Sequence, residues 1–182
     1  MILGRNGAAS MKWLLCFALT GSVLLSTFSM AAQTTDTDTI MEGRLSQKDV
    51  ASHCSWFEEG KQKYMPDDST VKALLPYAQQ LRFVVVMGTW CGDSRMHVPA
   101  FYRLMDALRI PEKRIELIGV DRKKDTSVDI AALHIEYVPT FIVFYKGKEI
   151  GRIVENPDVS IEKDLLQMLQ NPAASQTNPK SE

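Results

Sequence analysis

The chain has 182 residues, 21 of them basic and 22 acidic, for a formal net charge of −1. No basic excess marks a surface for nucleic acid or anionic lipid, so neither is expected as a partner. The composition is 45% hydrophobic, enough to build one good core in a single domain.

Residues 1–12 hold Arg5 and Lys12 and no acid, residues 13–28 are apolar, and Ser29-Met30-Ala31-Ala32 ends in small residues. That order of basic, apolar and small segments is a secretory signal over 1–32, with cleavage after Ala31 or Ala32. The alternative is an uncleaved anchor, because residues 13–32 are about long enough to cross a bilayer. Membrane contact is expected only in that case. Leu14-Leu15 ahead of Cys16 do not suit a lipidation site. The expected location is periplasmic or extracellular, an oxidising setting in which the two remaining cysteines, Cys54 and Cys91, have a structural disulfide as one reading.

Residues 33–44, opening on a Thr/Asp run, read as a flexible leader to a domain over 45–171. A first helix is expected from Ser46, where Ser46 and Asp49 have capping-box spacing and Val50, Cys54 and Phe57 recur at helical intervals. Pro66-Asp67-Asp68 interrupts it. Asp68 or Ser69 is expected to cap a second helix to about Leu81, bent at Pro76. Residues 83–87 are a continuous apolar run, the mark of a central strand covered on both faces. Val98, Phe101, Tyr102, Met105 and Leu108 then define a helix after Cys91, with Pro99 inside it. Residues 115–120 form a second apolar strand, closed by Asp121 and a charged loop over 122–125. Residues 129–135 suggest a short helix. Residues 141–145, Lys146-Gly147 and 149–154 give a hairpin, and Ser160 caps a last amphipathic helix. Residues 172–182, rich in Pro, Ser and Asn, read as a disordered tail. The element order implies an α/β domain with a central mixed sheet flanked by helices, the core over 82–171 preceded by a helical extension over 45–81.

The turn after the first core strand is where such sheets usually place chemistry, and Cys91 lies in it. Helix-start amides near the sulfur favour a thiolate. Asp93 opposes that with a nearby negative charge, and Ser94 is positioned to donate a hydrogen bond to the sulfur. The bland alternative is an inert, buried Cys91 in a redox-dead domain. His53, His97 and His134 have no metal-ligand spacing with the cysteines, so no metal and no cofactor are expected.

Trp90-Cys91-Gly92-Asp93-Ser94-Arg95-Met96-His97-Val98-Pro99 resembles the active-site segment of the thioredoxin family. Val138-Pro139-Thr140-Phe141 resembles the loop in which that family keeps a cis proline beside the reactive sulfur, and Lys146-Gly147-Lys148 matches the hairpin after it. The resemblance implies a thioredoxin-like fold and thiol–disulfide chemistry. It makes Cys91 the nucleophile, helped by Ser94, and gives Trp90, Gly92, Asp93, Val138, Pro139 and Thr140 to substrate binding, with the Val138 backbone open to an extended peptide. The chain departs from the family at Ser94, which replaces the resolving cysteine, and at Val85, where thioredoxins often keep a buried acid. A single thiol can attack a disulfide but cannot release itself from the mixed disulfide that results.

Cys54 is the candidate internal resolver or resting disulfide partner, although Val50 and Phe57 favour a plain core position for it. The expectation is an exported oxidoreductase with a single active cysteine. It would act on protein or peptide disulfides and thiols, with an external small thiol or redox partner for release. The alternative is a peptide-binding module without turnover.

Overall fold

The computed structural model describes residues 39–171. The expected signal over 1–32, the start of the leader and the tail over 172–182 lie outside the described residues.

Five strands form one mixed sheet. They are β1 (Gly43–Leu45), β2 (Leu81–Met87), β3 (Ile115–Gly119), β4 (Thr140–Tyr145) and β5 (Lys148–Val154), in the order β1-β3-β2-β4-β5. β2 pairs parallel to β3 and antiparallel to β4, and β1 pairs antiparallel to β3. The apolar run therefore sits where its composition requires, in the centre. Phe83, Val85 and Met87 face the larger core cluster and Val84 and Val86 the smaller, the two-residue alternation of a strand.

The helices are α1 (Gln47–His53), α2 (Ser55–Lys63), α3 (Asp68–Leu74), α4 (Gly92–Ala107) and α5 (Ile161–Gln170). All five contribute to the larger cluster: Val50, Phe57, Leu74, Phe101 and Leu165 are members. The smaller cluster is closed by chain rather than helix. Val120 and Val138 belong to it, with Val128, Ile130, Leu133 and Ile135 packed against it. The short helix expected at 129–135 is a single 3₁₀ turn, Ala131–Leu133. Val128, Ile130, Leu133 and Ile135 pack against the smaller cluster from this irregular chain, a spacing that no single helix face carries.

Three expectations for the N-terminal half need correction. The leader is not flexible to residue 44: Gly43 and Arg44 belong to β1, paired with Gly119 and Ile118, and Gly43 N–H donates to Thr126 Oγ1 at 3.0 Å. Three residues carry no readable periodicity, and pairing to β3 makes this strand. The first helix breaks at Cys54, which is extended (φ −126°, ψ 102°). Ser46 and Asp49 do form the capping box of α1, and the break lets α2 lie along α4, where Phe57 meets Tyr102 at 5.4 Å between ring centroids. The second helix starts from Asp67, not Asp68 or Ser69, and ends at Leu74, so Pro76 follows it instead of bending it. Asp67 accepts from Ser69 Oγ and from the amide and hydroxyl of Thr70, which pulls its carboxyl down to about 2.

The C-terminal half follows its local signals. Lys146 and Gly147 both have positive φ, 51° and 79°, the backbone of a tight two-residue hairpin turn. Ser160 caps α5. Tyr64 at the end of α2 donates to the buried Glu162 of α5 at 2.5 Å, and Asp67 N–H donates to the same carboxylate at 3.2 Å. That carboxylate ties the helical extension to α5.

Candidate active site

Cys91 is the N-cap of α4, at the carboxyl end of central β2. The turn that presents it is closed by Cys91 N–H donating to Gly88 O at 2.9 Å. Gly88 is required by close approach: a Cβ there would lie 2.5 Å from Trp90 Cε2. The indole thus folds back over its own turn, and its Nε1–H donates to Val120 O at 3.0 Å. Arg95 Nε donates to Thr89 O at 2.8 Å, and Thr89 Oγ1 donates to Thr39 O at 2.8 Å. The turn is thereby fixed from the helix after it and from the segment ahead of β1.

The Cys91 sulfur points across to the next loop. Its thiol donates to Val138 O at 3.1 Å, and the Val138–Pro139 peptide is cis. Cys91 is half-buried and packs with Trp90 against the smaller cluster. The expected attraction between the sulfur and the helix-start amides is not how it is held. Cys91 makes no side-chain capping bond, because a carbonyl within reach is the better partner for an S–H donor. The Val138 carbonyl, expected to be open to a peptide, is occupied by this thiol.

Ser94 also differs from expectation. It is fully buried, and its Oγ accepts from Gly88 N–H at 3.2 Å. Gly88 follows the last residue of β2, outside the strand ladder, and Ser94, in the first turn of α4, takes its amide. The hydroxyl thus serves the turn backbone. Thr140 was assigned to substrate binding, yet it is buried and its Oγ1 donates to Tyr137 O at 2.7 Å. It locks the loop that carries Val138 and Pro139. Pro139 O accepts from Glu155 N–H at 2.7 Å, so the residue that follows β5 braces the same loop. Gly92 is exposed with nothing near its Cα face, and Asp93 stands in the first turn of α4 beside it. Trp90, Gly92, Asp93, Val138 and Pro139 are therefore gathered around Cys91, while Ser94 and Thr140 lie beneath as supports.

Cys54 is not brought to this site. It is a buried thiol in the larger cluster, whereas Cys91 borders the smaller one on the other face of the sheet. Val50 and Phe57, its helical neighbours, are in the larger cluster too. Val85 is fully buried in that cluster. His97 Nε2 donates to Asn156 Oδ1 at 2.9 Å and links α4 to the loop after β5.

Two contributors were missed in the sequence. Gly88 has a local signal, a glycine two residues before a large aromatic at a strand end. Arg122 was read as part of a solvated loop, but its guanidinium lies 5.3 Å from the centre of the Trp90 ring. Nothing in the spacing of residues 90 and 122 discloses that contact. Among the described residues no group of three His, Cys, Asp or Glu side chains comes together to hold a metal, and no helix is long and apolar enough to cross a membrane.

Comparison with known proteins places this site in a family. The thioredoxin-like protein R548 of Acanthamoeba polyphaga mimivirus is 30% identical over 82 residues, which cover 45% of this chain and 58% of that protein. The chain thus spans less than two thirds of that relative. Thioredoxin of Bos taurus is 31% identical over 81 residues, 44% of this chain and 71% of the bovine protein. In three dimensions, a crystallised Pseudomonas aeruginosa protein of unknown function superposes with a TM-score of 0.51 at 17% identity, over 68% of this chain and 87% of its own. That likeness speaks for the fold. The thioredoxin family profile matches residues 67–170, more than half of the sequence and the whole of the site, and on that evidence the chain belongs to the thioredoxin family.

Proposed function

We propose that the protein is an exported thiol–disulfide oxidoreductase that works through Cys91 alone. The observation that carries this reading is the placement of the Cys91 sulfur, half-buried at a strand-to-helix turn and 3.1 Å from Val138 O beside Pro139. An incoming extended peptide needs a backbone edge to pair with and a nucleophile next to that edge. Here one contact supplies both. When the thiol loses its proton it can no longer donate, and the Val138 carbonyl becomes available to a substrate amide. Trp90, held against Gly88 by its bond to Val120 O, offers apolar surface beside the sulfur.

Attack by Cys91 on a substrate disulfide forms a Cys91–substrate bond and releases one substrate thiolate. The second exchange requires another thiol, and the positions of Ser94 and Cys54 favour an external one. This suits reduction or isomerisation of protein disulfides better than net oxidation. Export rests on the basic, apolar and small segments of residues 1–32.

The test is reduction of a disulfide-bonded protein by the full chain, with and without Cys91→Ala. Complete loss of turnover in the variant is expected, and retained turnover sinks the proposal. A peptide-binding module without turnover is the second reading, favoured by Ser94 at the resolving position and its commitment to Gly88. It predicts peptide affinity that survives Cys91→Ala and a wild-type Cys91 that reacts slowly with alkylating reagents.

A further inference from the structure

A cation reaches the reactive turn from a distant part of the chain. Arg122 lies in the loop after β3, and its guanidinium is 5.3 Å from the centre of the Trp90 ring. Trp90 immediately precedes Cys91, and both side chains pack against the smaller cluster. Loop and indole hold one another, because Trp90 Nε1–H donates to Val120 O at 3.0 Å, two residues before Arg122. The loop is itself a closed turn. Asp121 N–H donates to Asp125 O at 2.9 Å, and Lys124 N–H donates to Asp121 O at 3.0 Å. The backbone on both sides of Arg122 is therefore fixed.

A contact with an aromatic face leaves the charge of a guanidinium uncompensated and uses none of its five N–H donors. Among the described residues Arg122 has no ion pair and no hydrogen bond of its side chain. Its neighbour Asp121 does not neutralise it, since Asp121 Oδ1 accepts from the amides of Lys123 and Asp125, each at 2.8 Å. The acid gathered at Cys91, Asp93, belongs to the first turn of α4. The rim thus carries a carboxylate on its helix and an unpaired guanidinium on its loop.

On the reading of Cys91 given above, the substrate is an extended polypeptide that lies beside Trp90 with its disulfide at the Cys91 sulfur. We propose that Arg122 selects these substrates by charge, pairing with an Asp or Glu side chain close to the attacked cysteine. A planar guanidinium takes a carboxylate through two parallel N–H···O bonds, and stacking on Trp90 leaves its N–H edge open for them. A strand advances about 3.3 Å per residue, and the ring that carries the guanidinium is the residue next to Cys91. The matching carboxylate therefore belongs about one to three residues from the substrate cysteine.

The experiment uses the full chain and uncharged peptides whose single cysteine carries a 2-pyridyl disulfide. The Cys91 thiolate attacks the peptide sulfur, a Cys91–peptide disulfide forms, and the pyridyl thiolate leaves and takes a proton as the thione. Formation of the adduct on Cys91 is timed by mass spectrometry of its proteolytic fragment. A Gln is replaced by Glu in turn at each position around the cysteine. At its best position Glu is expected to speed the adduct by about fivefold, the upper end for one exposed ion pair. Added salt should shrink that gain, and Lys at the same position should slow the adduct. Arg122→Gln should bring the Glu-to-Gln ratio close to one, and Arg122→Glu should invert the preference towards Lys. Each ratio is taken within one variant, so an effect transmitted through Trp90 cancels. Equal rates for Glu and Gln at every position on the native chain, or a preference that Arg122→Gln leaves intact, would overturn the proposal. If no peptide forms an adduct, the reading of Cys91 fails separately. Arg122 is then judged by fluorescence anisotropy, with labelled peptides that carry serine for cysteine. Tighter binding of a Glu peptide that Arg122→Gln removes upholds the pairing, and any other result refutes it.

Discussion

Replacing Ser94 by alanine separates the two roles open to its hydroxyl. Ser94 is fully buried and its Oγ accepts from the amide of Gly88, itself buried, at 3.2 Å. Removing the oxygen strands that amide where water cannot replace it, and a stranded buried donor costs about 1–3 kcal/mol. A 3.2 Å separation is at the long end for an N–H···O bond. The loss therefore belongs in the lower part of that range, about 1–2 kcal/mol. With a urea dependence of about 2 kcal/mol per molar, the middle of the usual range for a small domain, the unfolding midpoint should fall by roughly 0.5–1 M. The assay is urea unfolding followed by tryptophan fluorescence, run beside the alkylation rate of Cys91 across pH in the folded protein. The midpoint should drop while the alkylation profile keeps its native shape. An unchanged midpoint refutes the argument. A displaced alkylation profile with an unchanged midpoint would return Ser94 to the role of sulfur donor.

Cys54→Ala should leave the rate at which substrate is released from Cys91 unchanged, measured as decay of the isolated mixed disulfide, because the two sulfurs belong to clusters on opposite faces of the sheet. A slower decay in that variant would restore Cys54 as resolver. Stability should also fall in alkali. Burial holds the hydroxyls of Tyr64 and Tyr102 well above the usual tyrosine range, reinforced by the hydrogen bond to Glu162 for the first and by the charge of Glu112 for the second. These groups ionise in the unfolded chain near pH 10 but not in the folded one, so the folded state loses its advantage as pH rises past about 10. Urea midpoints taken from pH 9 to 11 should decline, and Tyr64→Phe should flatten part of the decline. A flat profile in the native chain would contradict the burial of both hydroxyls.

Much of this protein is written locally. The run at 83–87 is too apolar for any place but the middle of the sheet, and β2 is there. The Ser46 and Ser160 caps, the Lys146-Gly147 turn and the helix after Cys91 each depend on neighbours within a few residues, so each was legible. The Trp90–Ser94 turn and the Val138–Pro139 loop were legible as two motifs in the right order, and family membership followed from them.

What was not legible depends on residues far apart in the chain. β1 exists because Gly43–Leu45 finds a partner in β3, and three residues carry no pattern of their own. Cys54 lies at a helical interval between Val50 and Phe57, yet no spacing tells which face of the sheet it occupies; packing of α2 on α4 decided that. Ser94 has the right offset to reach the sulfur, but its oxygen takes the amide that follows β2. The Cys91 sulfur itself turned to a carbonyl 47 residues away. Local periodicity and capping chemistry specify the elements and the nucleophile. The partners of that nucleophile are set by which buried polar groups the folded chain leaves to be satisfied, and that depends on contacts across the whole domain.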